Sequence, residues 1–269
     1  MSAVHADMEL MLFETNAPSA KAVMASGVRR FIVDWEHVGK VERQNGFDTE
    51  VAPQGTAELA EVARLPGATA WCRINRDRPE MPDEVDTALA AGAQGLFLPM
   101  VTAPHEVERF LRAVNGRCPV GILVETVKAL ACVDSLAELP LDRVYFGLND
   151  FAISRGGGSI FRAVLDGSVE RAREAFGGTT FGFGGVTAID GGTPVPCARL
   201  LEEMARLDCQ FSFMRRSFRR DVQRVGAARL VDDVQAFWQQ CHQRSAAEVA
   251  RDRRALEQLL REVCGGDGR

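Results

Sequence analysis

The sequence predicts a single (β/α)₈ barrel, an α/β fold also called a TIM barrel, with additional helices at its C-terminal end. Three observations support this prediction. The chain has 269 residues, and a barrel of this kind needs about 250. Short apolar segments alternate with amphipathic ones along the chain, as strands and helices do in such barrels. The apolar segments are hydrophobic almost throughout, which is typical of strands buried on both faces of a parallel sheet.

The predicted strands are short runs that are rich in apolar residues. In chain order they are Leu10–Phe13, Phe31–Trp35, Thr69–Arg73, Gly95–Pro99, Val120–Val124, Val144–Leu148, Thr180–Gly184 and Phe211–Met214.

Helices are predicted between these strands from the positions of capping residues, prolines and glycines. Thr56 is a candidate cap, Pro104 and Pro196 stand in first turns, and Gly92 and Gly116 follow predicted C-terminal ends. The predicted helices are Pro18–Ala25, Thr56–Arg64, Asp83–Ala91, Pro104–Val114, Lys128–Glu138, Ser168–Phe176 and Pro196–Leu207.

The sequence after the last predicted strand continues as helix from about Asp221 to Cys264. Its final part is rich in Ala, Glu, Arg and Leu, and its apolar residues roughly follow a helical stripe. We therefore divide the chain into a barrel domain, residues 1–220, and a helical extension, residues 221–269. The extension either closes the barrel of its own chain or packs on a neighbouring subunit, and the sequence leaves both alternatives open.

The composition indicates a soluble protein of the cytoplasm. The net charge of −5 at pH 7 argues against a broad nucleic-acid-binding surface but not against a local basic pocket for an anionic metabolite. Residues 1–8 lack the features of a signal peptide, and no apolar run approaches the ~20 residues that cross a membrane. The seven cysteines include no C-x-x-C pair, so reduced thiols are expected rather than a structural zinc site.

Ionisable residues follow several predicted strands at the C-terminal ends, where barrels place their active sites. The end of the second strand carries Asp34, Glu36 and His37. An unperturbed histidine has a pKa near neutrality, so His37 is a candidate general base. A solvated strand end with a capping role is the alternative. Arg73 ends the third strand and either binds a substrate carboxylate or enolate oxygen or forms a salt bridge with a strand-end acid.

Two carboxylates follow the fifth and sixth predicted strands. Glu125 comes directly after the fifth strand, and Asp150 closely follows the sixth. Carboxylates on adjacent strand ends can share one hard cation and leave positions for substrate oxygens and water. The pair therefore predicts a metal site. The alternative for Asp150 is that it caps the following helix.

A glycine-rich connection, Gly184–Gly192, follows the seventh predicted strand, and the eighth runs into Arg215 and Arg216. The loops after strands seven and eight are the common phosphate site of barrels. We therefore predict that Thr187, with Arg215 or Arg216, holds an anionic group of the substrate. The alternative is that the two arginines pair with acids on outer helices.

Five segments of the sequence resemble the HpcH/HpaI aldolase and citrate lyase superfamily, in the family's order. Each block is short, but each stands at a strand end or a helix start, and together they make a fairly specific match. The segments are Phe31–His37, Trp71–Asn75, Gly92–Val101, Ile122–Leu130 and Val144–Gly156.

The resemblance implies a metal-dependent carbon–carbon lyase, an aldolase, that acts on a 2-oxo acid such as pyruvate and on an aldehyde. Glu125 and Asp150 match the family's ligands of a magnesium or manganese ion. Arg73 matches the arginine that stabilises the enolate oxygen. Family members are usually trimers or hexamers, so the resemblance also implies a homo-oligomer.

His37 matches the region of the family's catalytic base, with Asp34 and Glu36 organising it. Two departures favour a different lyase that acts on a coenzyme A thioester: Ala90 stands where the aldolase branch usually has aspartate, and Thr102–Pro119 is shorter than that branch's loop. His37 favours the aldolase, because the citrate lyase branch usually has aspartate there. A third alternative is a non-catalytic barrel that binds a metabolite; the two carboxylates and the arginine argue against it.

Overall fold

Eight strands form one parallel sheet, in a computed structural model that describes residues 6–37 and 55–265. The bounds are β1 Glu9–Phe13, β2 Arg30–Asp34, β3 Thr69–Arg73, β4 Gly95–Leu98, β5 Val120–Val124, β6 Arg143–Phe146, β7 Thr180–Phe183 and β8 Phe211–Phe213. Hydrogen-bonded neighbours follow the order β7-β6-β5-β4-β3-β2-β1-β8. Each observed strand begins and ends within two residues of its predicted bounds.

Backbone hydrogen bonds between β7 and β8 close the sheet into a barrel. The Gln210 N–H donates to the Phe181 carbonyl oxygen at 3.0 Å, and the Val186 N–H donates to the Phe213 carbonyl oxygen at 2.9 Å. Helices connect the strands, and further helices follow β8. The predicted (β/α)₈ barrel with C-terminal helices is therefore confirmed.

The helices of the described residues lie between and after the strands. Their bounds are α1 Ala17–Met24, α2 Thr56–Ala63, α3 Met81–Ala90, α4 Pro104–Val114, α5 Val127–Ala131, α6 Val133–Ala137, α7 Leu148–Ser154, α8 Arg162–Leu165, α9 Ser168–Ala175, α10 Cys197–Arg206, α11 Ser217–Val225, α12 Ala227–His242 and α13 Ala246–Gly265.

The predicted and observed helices differ in two places. The single predicted helix Lys128–Glu138 is two helices, α5 and α6, that meet at Cys132, whose backbone (φ −110°, ψ 23°) leaves the helical region. Helices α7 and α8 were not predicted. Both are too short, at seven and four residues, to show the amphipathic repeat from which a helix is recognised.

Large side chains fill the barrel interior. A cluster of eight buried residues lies inside the sheet: Met11, Ile32, Trp71, Phe97, Leu123, Tyr145, Phe211 and Phe213. Two glycines make room for its rings. A Cβ at Gly95 would lie 2.5 Å from the Trp71 ring, and a Cβ at Gly121 would lie 2.4 Å from the Phe97 ring. Because the interior is packed, a binding site has no room inside the barrel, and the carboxyl ends of the strands are where this fold carries its sites.

The last helix, α13, packs on the barrel of its own chain. Leu256 and Leu260 are buried, and Arg253 pairs with the buried carboxylate of Glu203 on α10 at 2.5 Å. Helix α11 crosses residue 220, and residues 266–269 lie outside the described residues. The division into two domains, and a role of the extension in subunit contacts, stay predictions.

All seven cysteine thiols are free. Among the described residues, no helix combines the length and the apolar character needed to cross a membrane.

Candidate functional site

Arg73 is the centre of an ion-pair network at the carboxyl ends of β2 and β3. The parallel register places Asp34 opposite Arg73. The Nε atom of Arg73 donates to Oδ1 of Asp34 at 2.8 Å, and its Nη2 donates to Oδ2 at 2.6 Å. Its Nη1 lies 3.4 Å from Oε2 of Glu36. The salt bridge with a strand-end acid is therefore present, and it fixes the orientation of the guanidinium.

The ring of Phe13 lies against this guanidinium, with the Cζ atom of Arg73 4.9 Å from the ring centroid. Burial opposes the positive charge, but the carboxylates of Asp34 and Glu36, and more weakly Glu125, raise the pKa of Arg73 well above its ordinary value. The site therefore holds a fixed positive charge among several acids.

Glu125 follows β5 directly, and its side chain is buried. Its Oε1 accepts a hydrogen bond from the Met100 N–H at 2.8 Å, and Met100 takes a left-handed backbone conformation (φ 55°). Burial raises the pKa of Glu125 well above its ordinary value, and the charges of Asp150 and Glu36 raise it further, against the opposing effect of Arg73. Arg73 therefore does not fully offset the burial and the neighbouring negative charges that disfavour the ionised form of Glu125.

Asp150 lies in the first turn of α7, because β6 ends earlier than predicted and the helix begins directly after Gly147. The N-cap residue, Gly147, makes no side-chain capping hydrogen bond, and the capping alternative for Asp150 stays a prediction. The residue is buried, and its charge acts on Glu125. The two predicted metal ligands are thus electrostatic neighbours on adjacent connections.

The donor set fits a hard divalent cation. Arg73 is ion-paired with Asp34 and Glu36, and its charge also acts on Glu125, whose pKa is raised by the neighbouring Asp150. Carboxylate oxygens are the donors that hard divalent cations such as magnesium and manganese prefer. Within residues 6–37 and 55–265, no three His, Cys, Asp or Glu side chains are grouped closely enough to hold a metal ion. The chain therefore offers the pair Glu125 and Asp150 and leaves other coordination positions open.

Gly147→Ala is expected to displace Glu125. A Cβ at position 147 would lie 2.6 Å from Oε2 of Glu125 and 2.8 Å from its Cβ. Because the Glu125 Cβ cannot move away without its backbone, the carboxylate has to shift. We expect Mn²⁺ affinity to fall by about 10–100-fold in a calorimetric titration. Gly178→Ala is the matched control, since its added Cβ meets nothing within 4 Å. Equal Mn²⁺ affinity in both variants would contradict the assignment of Glu125.

His37 is exposed at the end of the described segment, and two hydrogen bonds orient it. Its backbone N–H donates to Oδ1 of Asn75 at 3.0 Å, and its Nδ1 lies 2.9 Å from the carbonyl oxygen of Trp35. Because a carbonyl oxygen only accepts, Nδ1 carries the proton in this contact. In the neutral ring Nε2 is then unprotonated, which is the form that a general base requires.

Several residues of this site were not predicted to belong to it. Asn75 is buried, and both its backbone N–H and its Nδ2 donate to Oε1 of Glu84, at 3.0 and 2.7 Å. Glu84 lies on α3 and thus holds the amide that orients His37. Phe13, Met100 and Gly147 act through shape or through the backbone, so the sequence carried no chemical signal for them.

The predicted anion-binding residues after β7 and β8 have different surroundings. Thr187 is fully buried, and its hydroxyl donates to the carboxylate of Asp221 on α11. Arg216 is exposed at the start of α11. Arg215 is partly buried, and its Nε donates to the Gly185 carbonyl oxygen at 2.9 Å. The three residues therefore differ in burial and in hydrogen-bond partners, and their role in substrate binding stays a prediction.

Fold and site together define a class of protein. It is a (β/α)₈ barrel that carries buried carboxylates and Arg73 at the carboxyl ends of its strands. The sequence matches no protein-family model, and no curated protein matches it. Comparison of structures does find relatives of the fold, all with low sequence identity.

Three solved structures illustrate this likeness. An HpcH/HpaI aldolase from Desulfitobacterium hafniense has 16% identity and a TM-score of 0.61, covering 82% of this chain and 91% of its own. An HpcH/HpaI aldolase/citrate lyase family protein from Burkholderia cenocepacia has 17% identity and a TM-score of 0.62, covering 81% and 94%. The protein CitE from Mycobacterium tuberculosis, in complex with magnesium and pyruvate, has 17% identity and a TM-score of 0.58, covering 96% and 100%. The chain therefore shares its fold with these three structures.

Proposed function

We propose that this protein is a divalent-metal-dependent carbon–carbon lyase, an aldolase, that acts on a 2-oxo acid such as pyruvate. The observation that carries the proposal is the buried pair of Glu125 and Asp150 beside Arg73 at the open end of the barrel. The likeness to CitE, whose solved structure includes magnesium and pyruvate, supports the same choice of ion and substrate.

Glu125 and Asp150 are the proposed ligands of the ion, which is magnesium or manganese because both donors are carboxylate oxygens. When bound, such an ion acts as a Lewis acid on the oxygens of the 2-oxo acid. The Met100 N–H orients the Glu125 carboxylate through its hydrogen bond of 2.8 Å. This bond leaves Oε2 as the oxygen that the backbone does not hold.

Arg73 is the proposed partner of the negative charge that develops on the 2-oxo oxygen during the reaction. Asp34 and Glu36 are positioning residues, because they hold the guanidinium through two hydrogen bonds and a contact of 3.4 Å. A donor that is already in place needs no reorganisation when the charge forms, and this is the source of its catalytic benefit.

His37 is the proposed general base. In the cleavage direction its Nε2 takes the proton of the substrate hydroxyl, and the carbon that carried the hydroxyl becomes the carbonyl carbon of the aldehyde. The electron pair of the broken carbon–carbon bond passes to the 2-oxo acid fragment, and His37 then returns its proton to the carbon of that fragment, which becomes the methyl group of pyruvate. The hydrogen bond from Nδ1 to Trp35 keeps the ring in the required tautomer.

His37→Gln is expected to slow the exchange of pyruvate methyl protons with solvent deuterium by about 10²–10⁴-fold, the usual contribution of a general base. Mn²⁺ affinity should stay within about threefold, because the ring touches neither carboxylate in the contacts above. Proton NMR measures the exchange. His105→Gln, at an exposed histidine on α4, is the control. Loss of Mn²⁺ binding in His37→Gln equal to that in a Glu125 variant would contradict this role.

The proposed function itself is tested by the same exchange reaction. Wild-type protein with Mg²⁺ or Mn²⁺ is expected to exchange the methyl protons of pyruvate in deuterated buffer, and a chelator should stop the exchange. If no divalent cation supports exchange and elemental analysis finds no bound metal, the aldolase proposal fails. A metabolite-binding barrel without catalysis would then be favoured.

A lyase that acts on a coenzyme A thioester is a second candidate. The observations that favour it are Ala90 and the short segment Thr102–Pro119, which contains little besides α4. The two candidates differ in substrate. Cleavage of a 3-hydroxyacyl-coenzyme A thioester without any pyruvate exchange supports the second candidate, and exchange of pyruvate supports the first.

A further inference from the structure

Arg215 carries a charge that no described carboxylate neutralises by an ion pair. The residue follows β8 and lies against the glycine-rich connection Gly184–Gly192. Its Nε is used by the Gly185 carbonyl oxygen at 2.9 Å, but its Nη2 is buried without any hydrogen-bond partner. Buried charged groups are normally paired, so an unpaired guanidinium donor in this position requires an explanation.

The nearest acid on this side of the barrel is already engaged. Asp221 is buried, accepts the hydroxyl of Thr187, and has its Oδ1 3.7 Å from Nε of Arg220. Burial lowers the pKa of Arg215, and Cys197, Tyr145 and Asp221 oppose this shift without cancelling it. The protein therefore keeps an incompletely compensated positive charge at a place where a neutral side chain would cost less.

The backbone around Arg215 is shaped to hold this side chain. A Cβ at Gly185 would lie 2.7 Å from Cγ of Arg215, and a Cβ at Gly192 would lie 2.6 Å from its Nη1. Gly192 also has a left-handed backbone (φ 95°), which favours glycine. The connection thus packs against the stem of the arginine and against Nη1, and these contacts do not involve Nη2.

A second unpartnered polar atom lies two residues further along the chain. Oγ of Ser217, the first residue of α11, is buried and has no hydrogen-bond partner. Arg215 and Ser217 together leave a charged donor and a hydroxyl donor unused in one short segment. An anionic oxygen group satisfies both types of donor.

We propose that Arg215 and Ser217 form a subsite for a carboxylate or phosphate group at the far end of the substrate. Only the assignment of this anion to a substrate rests on the proposed function. Strand β7 alone separates β8 from β6, which leads to Asp150. Two strand spacings of ~4.8 Å give about 10 Å along the rim. The substrate is therefore a short chain with a second anionic group a few bonds from its 2-oxo acid end.

The subsite is tested with metal-free protein in buffer that contains a chelator. Inorganic phosphate or acetate is added at increasing concentrations, and the temperature of thermal unfolding is measured at each concentration. Wild type is expected to gain thermal stability with at least one anion. Arg215→Met should bind that anion at least about tenfold more weakly, as expected for the loss of hydrogen bonds from a charged group. Arg220→Met, at an arginine with 79% side-chain exposure, should behave like wild type. Tighter binding of inorganic phosphate indicates a phosphate subsite, and tighter binding of acetate indicates a carboxylate subsite.

Two further readouts separate this role from a structural one. Without anion, Arg215→Met should unfold at a temperature no lower than wild type, because the variant loses an unpaired buried charge. Arg220→Met should keep pyruvate exchange within about threefold of wild type, since it alters an exposed arginine outside the proposed subsite. No anion response in wild type, an undiminished response in Arg215→Met, or a lower unfolding temperature of that variant would overturn the inference. Absence of exchange in all proteins would count against the aldolase proposal alone.

Discussion

Glu125→Gln is expected to remove divalent-cation binding and pyruvate proton exchange together. The substitution keeps the size of the side chain and its hydrogen bond from Met100, but it replaces one of two carboxylate donors with a neutral amide. Mn²⁺ affinity should fall by more than about 100-fold, and exchange should fall by more than about 10³-fold, because Lewis-acid stabilisation contributes several kcal/mol. Calorimetry and proton NMR measure the two quantities.

The fold should tolerate this variant. Since burial and the charges of Asp150 and Glu36 raise the pKa of Glu125, a neutral amide relieves repulsion in the metal-free protein. Thermal unfolding without metal is therefore expected at the wild-type temperature or above it. Glu108→Gln, on α4 with 49% side-chain exposure, controls for the substitution itself. Wild-type exchange by Glu125→Gln with Mn²⁺ present would refute the proposed metal site.

Arg73→Met is expected to lower the free energy of unfolding of the metal-free protein by about 3–5 kcal/mol, the usual effect of breaking a buried ion pair by removing one partner. Methionine fills much of the space of the arginine stem, but Asp34 and Glu36 lose their ion pairs with Arg73. Their side chains are only 13% and 2% exposed, so water cannot replace it. Pyruvate exchange should also fall by about 10²–10³-fold.

Urea unfolding in the presence of a chelator, followed by tryptophan fluorescence, measures this loss. Addition of Mg²⁺ should stabilise Arg73→Met more than it stabilises wild type, because the variant has more uncompensated negative charge at Glu125 and Asp150. Arg171→Met breaks the surface ion pair with Asp134 and should leave unfolding nearly unchanged. If both arginine variants were equally stable, the buried network around Arg73 would not be a source of stability.

The sequence by itself determined the barrel and the positions of Glu125 and Arg73 at strand ends, while metal binding by Glu125 and Asp150 stays a proposal. Strands that are buried on both faces are apolar along their whole length, so Val120–Val124 and its counterparts can be recognised from local composition. Active-site residues of barrels follow such strands, and this placed Glu125 and Arg73 correctly at strand ends. The short helices α7 and α8 were missed because so few residues carry no readable repeat.

Only the tertiary structure decided which charges are paired. Asp34 and Arg73 are 39 residues apart in sequence and meet through the register of β2 and β3, while Thr187 meets Asp221 across 34 residues. Such contacts depend on strand register and helix packing, which no local segment of sequence encodes. The sequence therefore suggested both Thr187 and Arg215 as anion-binding residues and gave no reason to prefer either. The fold engages the first with a buried acid and leaves the second with an unused donor, and that difference makes Arg215 the stronger candidate for binding an anion.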